Sequence, residues 1–286
     1  MIATASAPAA RFALIGVLVP LALAATIAAT GTNRALFAML YHAVHVIPPR
    51  AYASFWESAT YAGDGLAAVV LATLFLRWRV DVAIAAFLAT IPLVGVFVHG
   101  IRAVVSVDRP PLVLSNQDLA VLGPVLHHGS FPSGHAATAA ALAGVAVLAV
   151  RAPGWRVMFV ILASLVALSR IAVGVHWPVD VCVGFAGGWL CAWIAWQLAV
   201  DRNWTRPRIV QLVACVLFAF ASAWLFVHPM GLPEATPFRF ALAIVGIGAS
   251  LAALAARVGP RTSGTLDPPA HSRSSSSDPD LSRTTR

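Results

Sequence analysis

The 286-residue sequence has no lysine, little charge of either sign and only three cysteines. Charged residues make up 10% of it and hydrophobic ones 59%, whereas about a quarter of a soluble globular chain is charged. That shortage excludes an ordinary soluble enzyme. Cys182, Cys191 and Cys215 all lie inside apolar runs and lack metal-ligand spacing, which excludes a disulfide framework and a thiolate metal centre and leaves them as core residues. Nor is there an internal repeat with a period of about 20 to 50 residues. The formal charge of +8 sits on arginines that punctuate apolar segments and form no continuous patch, so no nucleic-acid partner is expected. No polar stretch is long enough for a separate soluble domain. Whatever the chain does must be done among its apolar segments and their connections.

Those segments dominate what is present. Runs long enough to span a bilayer occur at about 12–29, 60–76, 82–100, 136–150, 157–173, 179–200, 209–227 and 238–256. They predict an all-α, polytopic transmembrane helix bundle of about eight spans. The fourth is short, and its first turn is expected to include Gly134 and His135. Because every basic residue is Arg, sidedness can be counted. Thirteen arginines fall on the side shared by the two ends and the even-numbered loops. Six fall on the other side: Arg34, Arg50, Arg102, Arg109, Arg170 and Arg239. The excess places both termini in the cytoplasm and the odd-numbered loops outside. The first span is read as an uncleaved helix, since its apolar stretch is long for a signal peptide. Residues 257–286, rich in Ser, Pro, Arg and Thr, are read as a disordered cytoplasmic tail. Trp56, Trp78, Trp155, Trp177 and Trp204 stand near span ends, where interfacial aromatics are expected. The apolar stretch 36–46 is too short to span and is expected to lie on the outer membrane surface.

Three outer-side stretches interrupt this apolar pattern with polar groups that membranes normally exclude. They are Arg102 to Pro110, Phe131 to His135, and Ser169 to Asp180. Charge at such depth is costly and marks function, so their coincidence points to one composite site. Pro132-Ser133-Gly134 reads as a helix start, where unpaired backbone N–H groups and the helix dipole favour an anion. Gly134 lets the backbone approach it. Arg102, Arg109 and Arg170 add forked donors matched to phosphate oxygens. His176 and Asp180 are four apart at the start of the sixth span, so the carboxylate can hold one imidazole nitrogen and free the other to attack phosphorus. His135 supplies a second imidazole, suited to protonating a leaving oxygen. With three guanidinium groups to neutralise charge, neither a metal nor another cofactor is expected.

The order Arg-x6-Arg-Pro, Pro-Ser-Gly-His and Ser-Arg-x5-His-x3-Asp, running from Arg102 to Asp180, resembles the three-part signature of the type 2 phosphatidic acid phosphatase superfamily, which also includes vanadium haloperoxidases and acid phosphatases. One departure is that Arg102 stands where the family usually has Lys. The resemblance implies that His176 is the nucleophile of a phosphohistidine mechanism, His135 the general acid and Asp180 the orienting carboxylate. It implies that Arg102, Arg109, Ser133, Gly134 and Arg170 bind phosphate. It further implies a six-helix core with its site at the outer membrane boundary, so that residues 1–200 form the phosphatase domain and 201–256 two additional spans.

Plainer readings attach to other residues. His127 and His128 are expected to be solvated loop residues, His42 and His45 a pair without the ligands a metal needs, and Asp64 a helix cap. The expected function is hydrolysis of a lipid phosphate or polyprenyl diphosphate at the extracytoplasmic face of a bacterial plasma membrane. The alternatives are phosphotransfer to a sugar or lipid acceptor, a haloperoxidase, and a non-catalytic lipid-phosphate carrier.

Overall fold

The computed structural model describes residues 7–45, 49–114 and 119–258. Among these the chain is all-helical. In chain order the helices are α1 (Ala7–Thr30), α2 (Asn33–Val44), α3 (Pro49–Tyr61), α4 (Gly65–Leu76), α5 (Val80–Leu88), α6 (Val94–Arg102), the single turn α7 (Pro110–Val113), α8 (Gly134–Ala149), α9 (Pro153–Ala172), α10 (Pro178–Ala199), α11 (Arg208–Trp224) and α12 (Thr236–Val258). A π-helical segment, Ala89–Leu93, carries Pro92 and joins α5 to α6, a ladder adjustment that accommodates the missing N–H. The tail expected from residue 257 lies, from 259 onward, outside the described residues.

A helix stands at each of the eight expected runs, and by length and composition the described residues hold five to seven candidate crossings, with α8 a further, shorter apolar helix. Five segments are long and apolar enough alone: Val80–Arg102, Pro153–Ala172, Pro178–Ala199, Arg208–Val227 and Pro233–Val258. Two bent pairs raise the count to seven, Leu14–Thr30 with Asn33–Val44 at 113° and Ala51–Tyr61 with Gly65–Leu76 at 72°. α8 has 16 residues and is shorter than a full span. The expected run 60–76 is cut because Asp64 caps α4, accepting from Leu66 N at 2.9 Å and Ala67 N at 3.2 Å. Thr60 and Tyr61 therefore end the preceding helix.

α8 is the innermost helix, with nearly every position from Ala136 to Val147 buried. It packs along α10 through small residues, which suits a membrane, where van der Waals packing drives helix association. A Cβ on Gly188 would stand 1.9 Å from the Ala137 carbonyl oxygen, and one on Gly184 would stand 2.3 Å from the Ser133 carbonyl oxygen. α11 and α12 pack on each other and on α4, and α11 turns Ile209, Val213, Val216, Leu217 and Phe220 outward. Such an apolar exterior is what a bilayer requires. All three cysteines are free, with Cys191 and Cys215 buried and Cys182 half-buried.

One expectation needs correction. Trp78, Trp155 and Trp204 are exposed at helix ends, but Trp56 and Trp177 are buried. Trp177 is drawn inward because its Nε1 donates to the Asp108 carbonyl at 2.8 Å and its ring meets Phe37 edge-on. Within the stretch expected on the surface, α2 turns one face inward. Phe37 and Tyr41 of α2 are buried, and the Tyr41 hydroxyl bonds both the carbonyl and the N–H of Ala120.

Candidate active site

The three motif stretches converge at one end of the bundle. Arg102 ends α6, Arg109 precedes α7, Ser133 caps α8, Arg170 lies in the last turn of α9, and Asp180 in the first turn of α10. His176 occupies the turn between α9 and α10, where Gly174 adopts φ +80°, a left-handed conformation that glycine takes without strain. The backbone itself ties motif to motif. Ser133 N donates to the Asp180 carbonyl at 3.0 Å, and within the third stretch the N–H groups of Val175 and His176 donate to the Arg170 carbonyl at 3.2 and 3.3 Å.

Arg109 is the most heavily used side chain. Its Nε donates to the His128 carbonyl at 3.0 Å, Nη2 to the Gly129 carbonyl at 3.2 Å, and Nη1 to the Val175 carbonyl at 3.3 Å. Nη1 also lies 3.2 Å from His176 Nε2. A guanidinium can only donate, so Nε2 is the acceptor in that pair and the proton of neutral His176 sits on Nδ1. Nδ1 faces Asp180 Oδ2 at 3.5 Å, too long for a hydrogen bond but close enough for charge to matter. Asp180 is held in turn by Ser130 Oγ at 2.5 Å and Trp177 N at 2.9 Å. Arg102 Nη2 donates to the Pro132 carbonyl at 2.9 Å, and Arg170 Nη1 donates to Thr60 Oγ1.

Burial and charge act together here. His176 and Asp180 are each 2% exposed, and Ser133 is fully buried. Burial, with Arg102 adding repulsion and Asp180 opposing it, pushes Arg109 down to about 10. Burial and then Arg109, Arg170 and Arg102 push His176 well below the ordinary imidazole value. The lowered value favours the neutral imidazole, whose Nε2 lone pair accepts from Arg109 Nη1. His135 lies in the field of the same three arginines.

Eight buried side-chain N or O atoms among the described residues have no hydrogen-bond partner, and four are here: Arg102 Nε, Arg170 Nε, His135 Nε2 and His176 Nδ1. Buried polar atoms are almost always paired, so this concentration marks a place built for a polar ligand. The first-turn N–H groups of Gly134 and His135 have no intrahelical acceptor. Over Gly134 the space is open, with only Val98 Cγ1 within 4 Å, at 3.9 Å, of where a Cβ would stand. The donors around this opening suit a tetrahedral oxyanion.

All eight sequence-predicted site residues lie in this cluster or at its helix start. Ser130, Thr60 and the carbonyls of His128 and Gly129 belong to it as well, although no sequence pattern singles them out. The outlying candidates stay outside. His128 is exposed and pairs with Asp108 at 2.9 Å, and His127 is exposed. His45 Nδ1 lies 2.6 Å from the Tyr41 carbonyl. No group of three His, Cys, Asp or Glu side chains among the described residues is placed to hold a metal ion.

Comparison with known proteins follows the same line. Residues 83–204 match the family model described as PAP2 superfamily. The chain is 43% identical over 87 residues to an undecaprenyl-diphosphatase of Sulfolobus acidocaldarius, covering 29% of this chain and 39% of that protein. It is 44% identical over 61 residues to a lipid A 1-phosphatase of Rhizobium etli, covering 21% of this chain and 25% of that protein. The alignments thus span well under half of these relatives. The crystal structure of Aquifex aeolicus LpxE superposes with a TM-score of 0.50 at 28% identity, over 57% of this chain and 93% of that one. In its motifs, in the match over residues 83–204 and in its helical fold, the chain is similar to the PAP2 superfamily.

Proposed function

We propose that the protein hydrolyses a phosphate or diphosphate monoester of a lipid, without a metal, through a phosphohistidine on His176. The observation that carries this reading is the set of unpartnered buried nitrogens around His176 and the open N-terminus of α8. In the reaction the His176 Nε2 lone pair attacks phosphorus while the bond from phosphorus to the lipid oxygen breaks. His135 gives its proton to that oxygen. Water then attacks the phosphohistidine, His135 takes a proton back, and inorganic phosphate leaves. Arg109 has to exchange its contact with Nε2 for one with a phosphoryl oxygen as the substrate enters. Arg102, Arg170 and the N–H groups of Gly134 and His135, at the helix start that Ser133 caps, hold the remaining oxygens, and Asp180 balances the charge that develops on the imidazole.

The apolar exterior supports a lipid substrate, because a headgroup can reach the cluster while its tail stays in the bilayer. The names of the relatives, an undecaprenyl-diphosphatase and a lipid A 1-phosphatase, support the same class. With α8 counted as an eighth, short crossing, arginine asymmetry supports cytoplasmic termini and an extracytoplasmic site, and the membrane proposed is a bacterial plasma membrane. Residues 1–200 are assigned to the phosphatase unit, 201–256 to the additional helices and 257–286 to a cytoplasmic tail.

The test is phosphate release by purified protein in detergent with EDTA. The substrates are phosphatidic acid, phosphatidylglycerol phosphate, a polyprenyl diphosphate and a lipid A phosphate, with an alcohol present as competing acceptor. Turnover is expected on at least one of them, inhibited by orthovanadate and lost in His176→Ala. Release only with added divalent metal, or full turnover by His176→Ala, refutes the reading, and a product phosphorylated on the alcohol makes the enzyme a phosphotransferase.

A further inference from the structure

The bend between α3 and α4 precedes the region of family resemblance, yet it touches two members of the cluster. Thr60 is fully buried, and its Oγ1 accepts the hydrogen bond from Arg170 Nη1. Gly63 lies against His135. A Cβ there would stand 3.0 Å from His135 Cβ, 3.2 Å from its carbonyl oxygen and 2.7 Å from Val166 Cγ1. The far side of the bend is held by the connection between α11 and α12. Tyr61 Oη donates to the His228 carbonyl at 2.7 Å, and His228 Nε2 lies 3.7 Å from Asp64 Oδ1. Buried Glu57 accepts from Glu234 N at 2.8 Å. The bend is clamped between the cluster and the last two helices.

We propose that this bend is a positioning element of the phosphate site, in which Thr60 orients the Arg170 guanidinium and Gly63 provides the room that sets His135; the proposal rests on the phosphatase reading above. With Nη1 engaged by Thr60, the Nε–Nη2 edge of Arg170 is left over, and its Nε is buried and unpartnered. That edge is the fork suited to two oxygens of one phosphoryl group. Thr60 is β-branched and lies in a helix, so few χ1 rotamers are open to it and its hydroxyl is a fixed anchor. An arginine held beforehand loses less freedom when the anion arrives. Gly63 acts on the other imidazole. A general acid must be placed within a fraction of an ångström to meet its leaving oxygen, and any side chain at 63 pushes on the backbone and Cβ of His135.

The two roles separate in kinetics. Full-length Thr60→Val, Thr60→Ser and Gly63→Ala proteins in detergent are compared for KM, kcat, orthovanadate inhibition and melting temperature. Thr60→Val is expected to raise KM and the vanadate inhibition constant about tenfold, equivalent to ~1.4 kcal/mol, with kcat within about threefold of the parent. Thr60→Ser returns both constants to within about twofold. Gly63→Ala is expected to lower kcat at least about tenfold while vanadate inhibition holds within about twofold. If Thr60→Val does not fold, Thr60→Ala is read in the same way. Parental vanadate inhibition in the hydroxyl-less variant, failure of serine to rescue, or losses that only track melting temperature overturn the proposal. A parent chain that releases no phosphate refutes the phosphatase reading instead, and calorimetric vanadate binding to the same variants then still decides whether Thr60 positions Arg170.

Discussion

Asp180→Asn isolates one charge at the centre of the site. Both hydrogen bonds to this carboxylate, from Ser130 Oγ and Trp177 N, fall on the same oxygen, Oδ2. That oxygen is also the one 3.5 Å from His176 Nδ1. An asparagine with its amide oxygen at that point keeps both bonds and removes only the negative charge. In the proposed mechanism the His176 ring becomes cationic when it takes up the phosphoryl group, and two unit charges at that 3.5 Å separation attract by ~4.7 kcal/mol at an effective dielectric of about 20. At about 1.4 kcal/mol per decade the predicted loss in kcat is about 10³-fold. Anion binding should respond in the opposite direction. Three guanidinium groups less one carboxylate leave a charge near that needed to match a phosphate dianion, and removing the carboxylate makes the site more positive. KM and the vanadate inhibition constant should therefore hold or fall. Steady-state phosphate release with a vanadate titration measures both, and a melting curve confirms that the fold is kept. A kcat within tenfold of the parent, or a clear loss of vanadate affinity, would refute the assigned role.

Three further outcomes follow from the geometry. His176 is held below the ordinary imidazole range, chiefly by burial and then by Arg109, Arg170 and Arg102; a lowered value keeps the ring neutral to lower pH, so the enzyme's acid limb in kcat/KM should fall below about pH 6.5, and a higher limb that stays put when the substrate is changed contradicts this. Arg109→Lys replaces a fork that reaches three carbonyls and His176 with one point charge, so turnover should drop by about 10² or more, at ~1.5–3 kcal/mol for each charged hydrogen bond lost; a lysine variant within threefold of the parent excludes the fork argument. Gly188→Ala forces a Cβ against the Ala137 carbonyl and should cost ~1–3 kcal/mol, seen as a lower melting temperature together with lost turnover, whereas Gly248→Ala, with nothing within 4 Å, should leave both unchanged.

What could be read from the sequence follows from what a membrane enforces. Continuous apolar runs have to become helices there, so a helix stands at each of the eight expected places. Polar groups inside such runs are conspicuous, which is why Arg102, Arg109, Ser133, His135, Arg170, His176 and Asp180 could be picked out before any coordinates. Breaks inside an apolar run leave a weaker trace. Gly63-Asp64 ends one helix and caps another, turning the expected run 60–76 into two elements at 72°. Trp56 and Trp177 have the composition of interfacial anchors, and only the tertiary partners of Trp177, Asp108 and Phe37, show why it is buried. Thr60 and Ser130 escape for a simpler reason. One hydroxyl bonded to a residue 110 or 50 positions away has no local pattern.

Glycine in α10 explains how motifs so far apart meet. Gly184 and Gly188 each forgo ~1 kcal/mol of helix propensity relative to alanine in water, and neither is needed for a turn. Their backbones instead lie against the first turn of α8 and its cap, Gly184 against the Ser133 carbonyl and Gly188 against Ala137. At the top of this seam Ser133 N donates to the Asp180 carbonyl, so the start of α8, which carries His135, is bonded directly to the start of α10, which follows His176. Helices separated by ordinary side chains sit 8–10 Å apart, and at that spacing the two imidazoles and the α8 N–H groups would not surround one phosphoryl group. In the proposed mechanism the small residues of α10 thus take part through distance alone, and the geometry of the candidate site is set along the helices as much as at their ends.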